Sequence, residues 1–195
     1  MPQHRGRPRK ASPELLQEAA FELFQVQGYR ATSVEQIART AGFSRATFFN
    51  FFASKSELYW LETDALIARL GQHLEHELEL ALERGSEAPR PLRAALLSHA
   101  ETITSANIPW ALQNIALLES AEDLIAGGAG RVLGLNRLLL SYLSRIEPAG
   151  DPGLARATAA TTTALLVTAL RDWIGSGVTR GPFRDALARV FAYEV

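Results

Sequence analysis

SVEQIARTAGFSRATFFNFF, residues 33–52, reads as two short helices joined by a tight turn at Ala41-Gly42-Phe43. A three-residue turn between crossed helices needs a positive φ, which glycine adopts without a Cβ clash. Ser33-Val34-Glu35-Gln36 is a capping box that opens the first helix. Ser44 stands where the N-cap of the second belongs, and that helix is expected to run to about Phe51. Val34, Ile37, Ala38, Ala41, Phe43, Phe48 and Phe51 supply apolar faces that pack the two helices on each other and on Leu16, Ala20 and Phe24 upstream. The pattern is a helix-turn-helix. Its second helix would enter the major groove with its N-terminal residues toward the base edges.

Working outward, the flanks are helical too. Ser12-Pro13-Glu14 orders an N-cap, a first-turn proline and a first-turn acid. An apolar stripe follows to Phe24, and Gly28 stops it. Ser54-Lys55-Ser56-Glu57 is a second capping box and opens a long helix to about Arg84, broken by residues 85–91. Further helices are expected over roughly 91–106, 109–125, 130–146, 152–175 and 182–193. Gly127-Gly128-Ala129-Gly130-Arg131 reads as a turn between two of them. Nothing alternates with period two over a useful length, so the fold class is all-α, with about nine helices.

Composition excludes several classes. The chain has 195 residues, no cysteine and 47% hydrophobic residues, ordinary for a protein with a real core. Without cysteine there is no disulfide scaffold, thiolate nucleophile, Cys-ligated zinc or iron–sulfur cluster. No secretory signal and no run of about 20 apolar residues is evident, so the expected compartment is the cytoplasm, with no membrane partner. The net charge of −1 hides an asymmetry: residues 1–60 hold eight Arg/Lys against five acids, and residues 61–195 twelve against sixteen. A basic end beside an acidic remainder points to a polyanion at that end.

The stretch SPELLQEAAFELFQVQGYRATSVEQIARTAGFSRATFFNFFASKSELYW resembles the N-terminal domain of the tetracycline-repressor (TetR) family of bacterial regulators. Gly-Tyr, Thr-Ser-Val, Ile-Ala, Ala-Gly-Phe-Ser, an aromatic pair and Ser-Lys-Ser-Glu-Leu appear in the family's order over about 50 residues. Beyond residue 60 the chain matches only in length and helical character. The resemblance implies a homodimer of about nine-helix subunits that represses transcription until a ligand binds. It also implies an organisation: a disordered basic arm over 1–11, a helix-turn-helix domain over 12–56, and a ligand-binding and dimerisation domain over 57–195. Two departures stand out. Ala46 replaces a usual glycine, and Phe49-Asn50 replaces Tyr-His or Tyr-Tyr, removing a hydroxyl that commonly reaches phosphate.

The DNA-contacting set is then Thr32, Ser33, Ser44, Arg45, Ala46, Thr47, Phe49, Asn50 and Lys55, with Arg5, Arg7, Arg9 and Lys10 of the arm. Arg45 suits guanine O6 and N7, or else a phosphate. Thr47 has the same options more weakly, since threonine also serves simply as a first-turn residue. Thr32 or Ser33 caps helix two, and the family counterpart meets phosphate. Phe49 suits a thymine methyl, and Asn50 a phosphate or adenine. Lys55 begins helix four, where backbone N–H groups also face an anion. The arm, His4-Arg5-Gly6-Arg7-Pro8-Arg9-Lys10, resembles an AT-hook core suited to a narrow minor groove, against a merely cationic tail. The phenylalanines Phe21, Phe24, Phe43, Phe48, Phe51 and Phe52 read as core.

Ala157 to Leu170 carries no charge and is too short and threonine-rich to span a bilayer. A helix apolar on every side must be buried on every side, so residues 152–193 are expected to form the dimer interface, against a central helix of a monomeric core. A small, largely apolar effector would lie among Leu66, Leu70, Leu96, His99, Ile103, Trp110, Leu117, Leu139, Tyr142, Leu166 and Trp173. His73, His76 and Glu77 share a turn but read as a solvated face rather than a metal site. Residues 127–131 lack the Lys-Ser/Thr of a phosphate loop. No elbow motif gathers Ser, His and Asp, so no enzyme activity, cofactor or metal is expected. The alternatives are an architectural DNA-binding protein without inducer, and an α-helical ligand carrier.

Overall fold

The computed structural model describes residues 11–83, 91–114, 122–177 and 180–192. Among them the regular elements are helices: α1 (Pro13–Gln27), α2 (Val34–Thr40), α3 (Arg45–Phe49), α4 (Lys55–Glu83), α5 (Leu92–Ala100), a 3₁₀ turn (Ser105–Asn107), α6 (Trp110–Gln113), α7 (Glu122–Ile146), α8 (Pro152–Gly175) and α9 (Phe183–Ala192). The described residues form two compact units. The first holds 11–61 and 122–127, the second 62–114 and 128–192.

In the first unit α1 begins as its sequence dictates. The Ser12 hydroxyl accepts from the Leu15 amide, Pro13 occupies the first turn, and Gly28 ends the helix at φ 83°. The α2 capping box forms in full, with Ser33 as N-cap. Gly42 takes φ 81° and makes the turn into α3. Leu16, Ala20, Phe24, Ile37, Ala38, Phe48 and Phe52 are buried together with Leu58 and Tyr59 at the start of α4. Phe21 and Phe43 are half-buried. Phe51 departs from its expected core role and is 40% exposed. The reason is that α3 ends at Phe49. The Phe51 and Phe52 amides both turn back to the Phe48 carbonyl, at 3.0 Å each, which swings Phe52 inward in its place.

The second unit is built on one hydrophobic core. It takes Leu70, Leu74 and Leu78 from α4, Leu92, Ala95 and Leu96 from α5, Leu139 and Tyr142 from α7, Ala159, Ala169 and Trp173 from α8, and Phe183, Leu187 and Phe191 from α9. α9 packs on both α8 and α5. The Trp173 indole N–H donates to the Gly181 carbonyl at 2.6 Å, tying the end of α8 to the link before α9.

Three expectations are corrected here. The helix expected over 91–106 stops at Ala100. The Thr102 hydroxyl donates to the His99 carbonyl, and Asn107 both accepts from the Thr104 amide and donates to the Thr102 carbonyl. Such side-chain bonds offer the backbone an alternative to the helix. The helix expected over 109–125 is also interrupted, for α6 ends at Gln113. Residues 127–131 are not a turn but lie inside α7. The helix continues through them despite the low helix propensity of glycine, and Arg131 makes two hydrogen bonds to Asp64, at 2.7 and 2.6 Å.

α8 corrects the sequence reading in another way. The helix itself runs 24 residues and is, by length and composition, long and apolar enough to cross a membrane. Its threonines do not prevent this, since Thr163 turns its hydroxyl back to the Ala159 carbonyl at 2.7 Å. Within the chain it is buried on one side only, through Ala159, Thr162, Thr163, Ala169 and Trp173. Leu154, Ala157, Ala160, Thr161, Ala164, Val167 and Thr168 are exposed.

The helical conformation of residues 127–131 makes a prediction. No atom lies within 4 Å of a Cβ built on Gly130, and its φ is not positive. Gly130→Ala is therefore expected to raise stability by about 0.5–1 kcal/mol in urea unfolding. In a glycine turn the same change would destabilise.

Candidate nucleic-acid interface

α3 is short because it needs only one exposed face. Ser44 caps it, accepting from the Thr47 amide at 3.1 Å, and its hydroxyl pairs with that of Thr47 at 2.9 Å. Phe48 anchors the helix inward, fully buried. Ser33, Ser44, Arg45, Ala46, Phe49 and Asn50 are exposed, and Thr47 is half-buried. The Arg45 guanidinium lies over the Phe49 ring, 4.9 Å from its centroid. The helix-turn-helix thus gathers most of the sequence-derived set on its surface.

Two members of that set are placed otherwise. Thr32 is 2% exposed. Its hydroxyl donates to the Gly28 carbonyl at 2.8 Å and accepts from the Gln27 amide group at 3.1 Å. The cap of α2 is Ser33, and Thr32 secures the link before it. Lys55 is half-buried and its ammonium points inward. It donates to the carbonyls of Tyr29 (2.6 Å) and Thr32 (2.7 Å) and sits 4.0 Å from the centre of the Tyr29 ring. Burial lowers its pKa from the ordinary lysine value, while Asp123 opposes the shift. Arg5, Arg7, Arg9 and Lys10 lie outside the described residues.

The same network holds residues that sequence reading did not assign. The buried Tyr29 donates its hydroxyl to Asp123 at 2.5 Å. Burial and that carboxylate push the Tyr29 pKa far up, so it remains a neutral donor. Gln17, also buried, donates from its side chain to the Leu58 carbonyl at 3.2 Å. Tyr29 falls within the Gly-Tyr pair of the motif, but Asp123 is 94 residues away and nothing local marks it.

Comparison with known proteins agrees with this head. Residues 16–59 match the family model described as bacterial regulatory proteins, tetR family. The likeness to that family rests on residues 16–59, the head of this chain. MftR of Mycobacterium tuberculosis is 34% identical over 93 residues, which are 48% of this chain and 44% of that protein. This chain therefore spans less than half the length of that relative. Two solved structures share the fold over nearly the whole chain. Thermus thermophilus FadR, a TetR-family transcriptional repressor in complex with lauroyl-CoA, superposes with a TM-score of 0.58 at 19% identity, covering 93% of this chain and 92% of that one. NalD of Pseudomonas aeruginosa, the secondary repressor of the MexAB-OprM multidrug efflux pump, gives 0.59 at 21% identity, covering 92% and 93%.

In the second unit, Leu70, Leu96, Leu139, Tyr142 and Trp173 meet in the core, and Ile103 and Leu166 pack against it. Leu66 and Trp110 are half-buried, and Leu117 lies outside the described residues. His99 is buried, and its Nε2 has no hydrogen-bond partner among the described residues; the same holds for the Thr63 hydroxyl. The His99 ring stands 5.2 Å from that of His73. His73 shares its Nε2 between the Ala95 carbonyl at 3.1 Å and Glu77 at 3.6 Å. His76 lies on the exposed side, 3.9 Å from Glu79.

Two predictions follow from these placements. Lys55→Gln leaves the Tyr29 and Thr32 carbonyls without their charged donor and is expected to cost about 1–3 kcal/mol in urea unfolding without DNA. A lysine serving only phosphate would leave that stability unchanged. Burial, then the charges of His73 and Arg69, hold the His99 pKa down at about 4 against an ordinary 6.5. Above pH 6.5 the neutral ring suits both folded and unfolded chains. As pH falls from 6.5 toward 4 the unfolded chain takes the proton first, so stability is lost in that window. Between pH 7.5 and 4.5 the thermal midpoint of wild type is expected to fall more steeply than that of His99→Leu.

Proposed function

We propose that this chain is a sequence-specific DNA-binding transcription regulator of the cytoplasm, a repressor released from a pseudo-palindromic operator by a small, largely apolar ligand. The observation that carries the reading is α3 itself: a capped, five-residue helix on a helix-turn-helix, presenting Arg45, Ala46, Phe49 and Asn50 outward. Arg45 has no carboxylate partner among the described residues, so its donors are free for guanine or phosphate. The basic arm of residues 4–10 adds phosphate or minor-groove contacts and steepens the salt dependence by up to about four units of slope per subunit.

The regulator acts as a homodimer through residues 152–193. The uncovered face of α8, from Leu154 through Ala157, Thr161, Ala164 and Val167 to Thr168, supports this, because a second copy would cover an apolar strip that one copy leaves wet. Two heads related by two-fold symmetry would then read half-sites in successive major grooves. The effector binds in the second unit, whose core is apolar with His99, Tyr142 and Thr63 as polar points. The Thermus thermophilus repressor of similar fold holds lauroyl-CoA, whose acyl chain is apolar, and this supports a ligand with a substantial apolar part. Such a ligand acts only through its different affinity for the DNA-competent and released states.

The test is a salt-controlled selection of the full chain on a random-sequence duplex pool. Enrichment of a two-fold-symmetric site is expected, and retention without a shared symmetric site would overturn the reading. On the selected site Arg45→Ala is expected to cost about 1–3 kcal/mol and to relax one position per half-site. Equal losses on that site and on random DNA would remove Arg45 from base reading.

A further inference from the structure

Arg45 and Phe49 stand one helical turn apart on α3, and both are exposed. Phe49 is 43% exposed, yet its ring is not loosely placed. It meets the buried Phe48 edge-on, centroids 5.4 Å apart and planes at 80°. The Arg45 guanidinium covers it from the other direction at 4.9 Å. The chain has other arginine–aromatic pairs, Arg93 on Phe191 and Arg180 on Trp173, but there the ring is buried in the core. Only at α3, among these pairs, does the aromatic face itself remain open.

We propose that Arg45 and Phe49 act as one reading unit that selects a thymine directly beside a guanine in each half-site, with the thymine methyl packed on the Phe49 ring. The inference rests on the operator-binding function proposed above and narrows what that operator contains. Arginine reads guanine through O6 and N7 with its guanidinium near the base plane, and apolar side chains read the thymine methyl. The ring beneath the guanidinium restricts a long side chain before DNA arrives, which lowers the ordering cost of binding.

Spacing makes the two bases neighbours. Stacked bases rise about 3.4 Å along a strand. A ring in contact with the guanidinium, its centroid 4.9 Å from the guanidinium carbon, stays within one to two base steps of it, and the adjacent pair is the nearer. Phenylalanine offers no hydroxyl there. Cytosine would press its amino group, and adenine or guanine their polar edges, against an apolar face, each losing water without a partner. The thymine methyl alone gains by burial.

The experiment uses the full chain and the duplex recovered by the selection above. A guanine with an adjacent thymine is expected in both half-sites. Replacing that thymine with deoxyuridine in one half-site removes a single methyl and is expected to weaken wild-type binding about fourfold, the value of one buried methyl group. Phe49→Ala is expected to bind the two duplexes equally, with its helical circular-dichroism signal at the assay temperature unchanged. At the same position 5-methylcytosine should bind wild type more tightly than cytosine, by a similar factor. Replacing the guanine with 7-deazaguanine should weaken wild type but not Arg45→Ala. Equal wild-type affinity for thymine and deoxyuridine overturns the proposal while the regulator reading stands. A symmetric site without the guanine–thymine step does the same. A bound pool with no symmetric site overturns both.

Discussion

A lysine ammonium taken out of water must be given oxygen in its place, and the head of this protein is arranged around that requirement. Lys55 opens α4 and reaches back to the carbonyls of Tyr29 and Thr32 in the link between α1 and α2. Those carbonyls lie in the link between the two helices, where that of Tyr29 also accepts from the Thr32 amide at 3.2 Å. One charged donor thus fastens the long helix to the loop that sets the angle of the helix-turn-helix. Tyr29 lies under the ammonium and donates a hydrogen bond from its own hydroxyl to Asp123, while Thr32 ties its side chain to Gly28. With the loop held from three sides, α2 and α3 can be short and still present a defined surface.

That surface divides labour between anchoring and reading. Phe48, Ile37 and Phe52 point inward and hold α3 to its neighbours. The cap at Ser44 satisfies the first turn and engages Thr47, so polar groups at the helix start are partly spent on the fold itself. What remains open is Arg45, Ala46, Phe49 and Asn50, a mixture of one charge, one amide and apolar area. The second unit works by different physics. Its core is large and apolar, and the polar atoms buried there, His99 Nε2 and the Thr63 hydroxyl, stand out because the structure gives them no partner among the described residues.

Most of the head was legible in the sequence. Helix caps, the Gly42 turn and the apolar spacing act over three or four residues, and the structure carries them out at Ser12, Ser33, Gly42 and Ser44. The same local logic failed where competing bonds decided the outcome. Residues 127–131 look like a glycine turn, but they continue α7, where Arg131 pairs with Asp64, 67 residues away. The helix after Leu92 looks continuous to 106, but Thr102 and Asn107 divert its backbone.

The sequence by itself determined that the chain is all-helical, where the helix-turn-helix lies and which residues begin its reading helix, because these follow from short-range backbone geometry and hydrophobic period. Only the tertiary structure decided what several polar side chains are for. Lys55 and Thr32 look like surface contacts in a linear reading, yet they turn inward, because the carbonyls they satisfy come together only when α1, α2 and α4 meet. Asp123 carries no local signal at all, and its partner Tyr29 is supplied by the fold. A side chain's direction depends on which unsatisfied group lies within its reach, and that is a property of three dimensions.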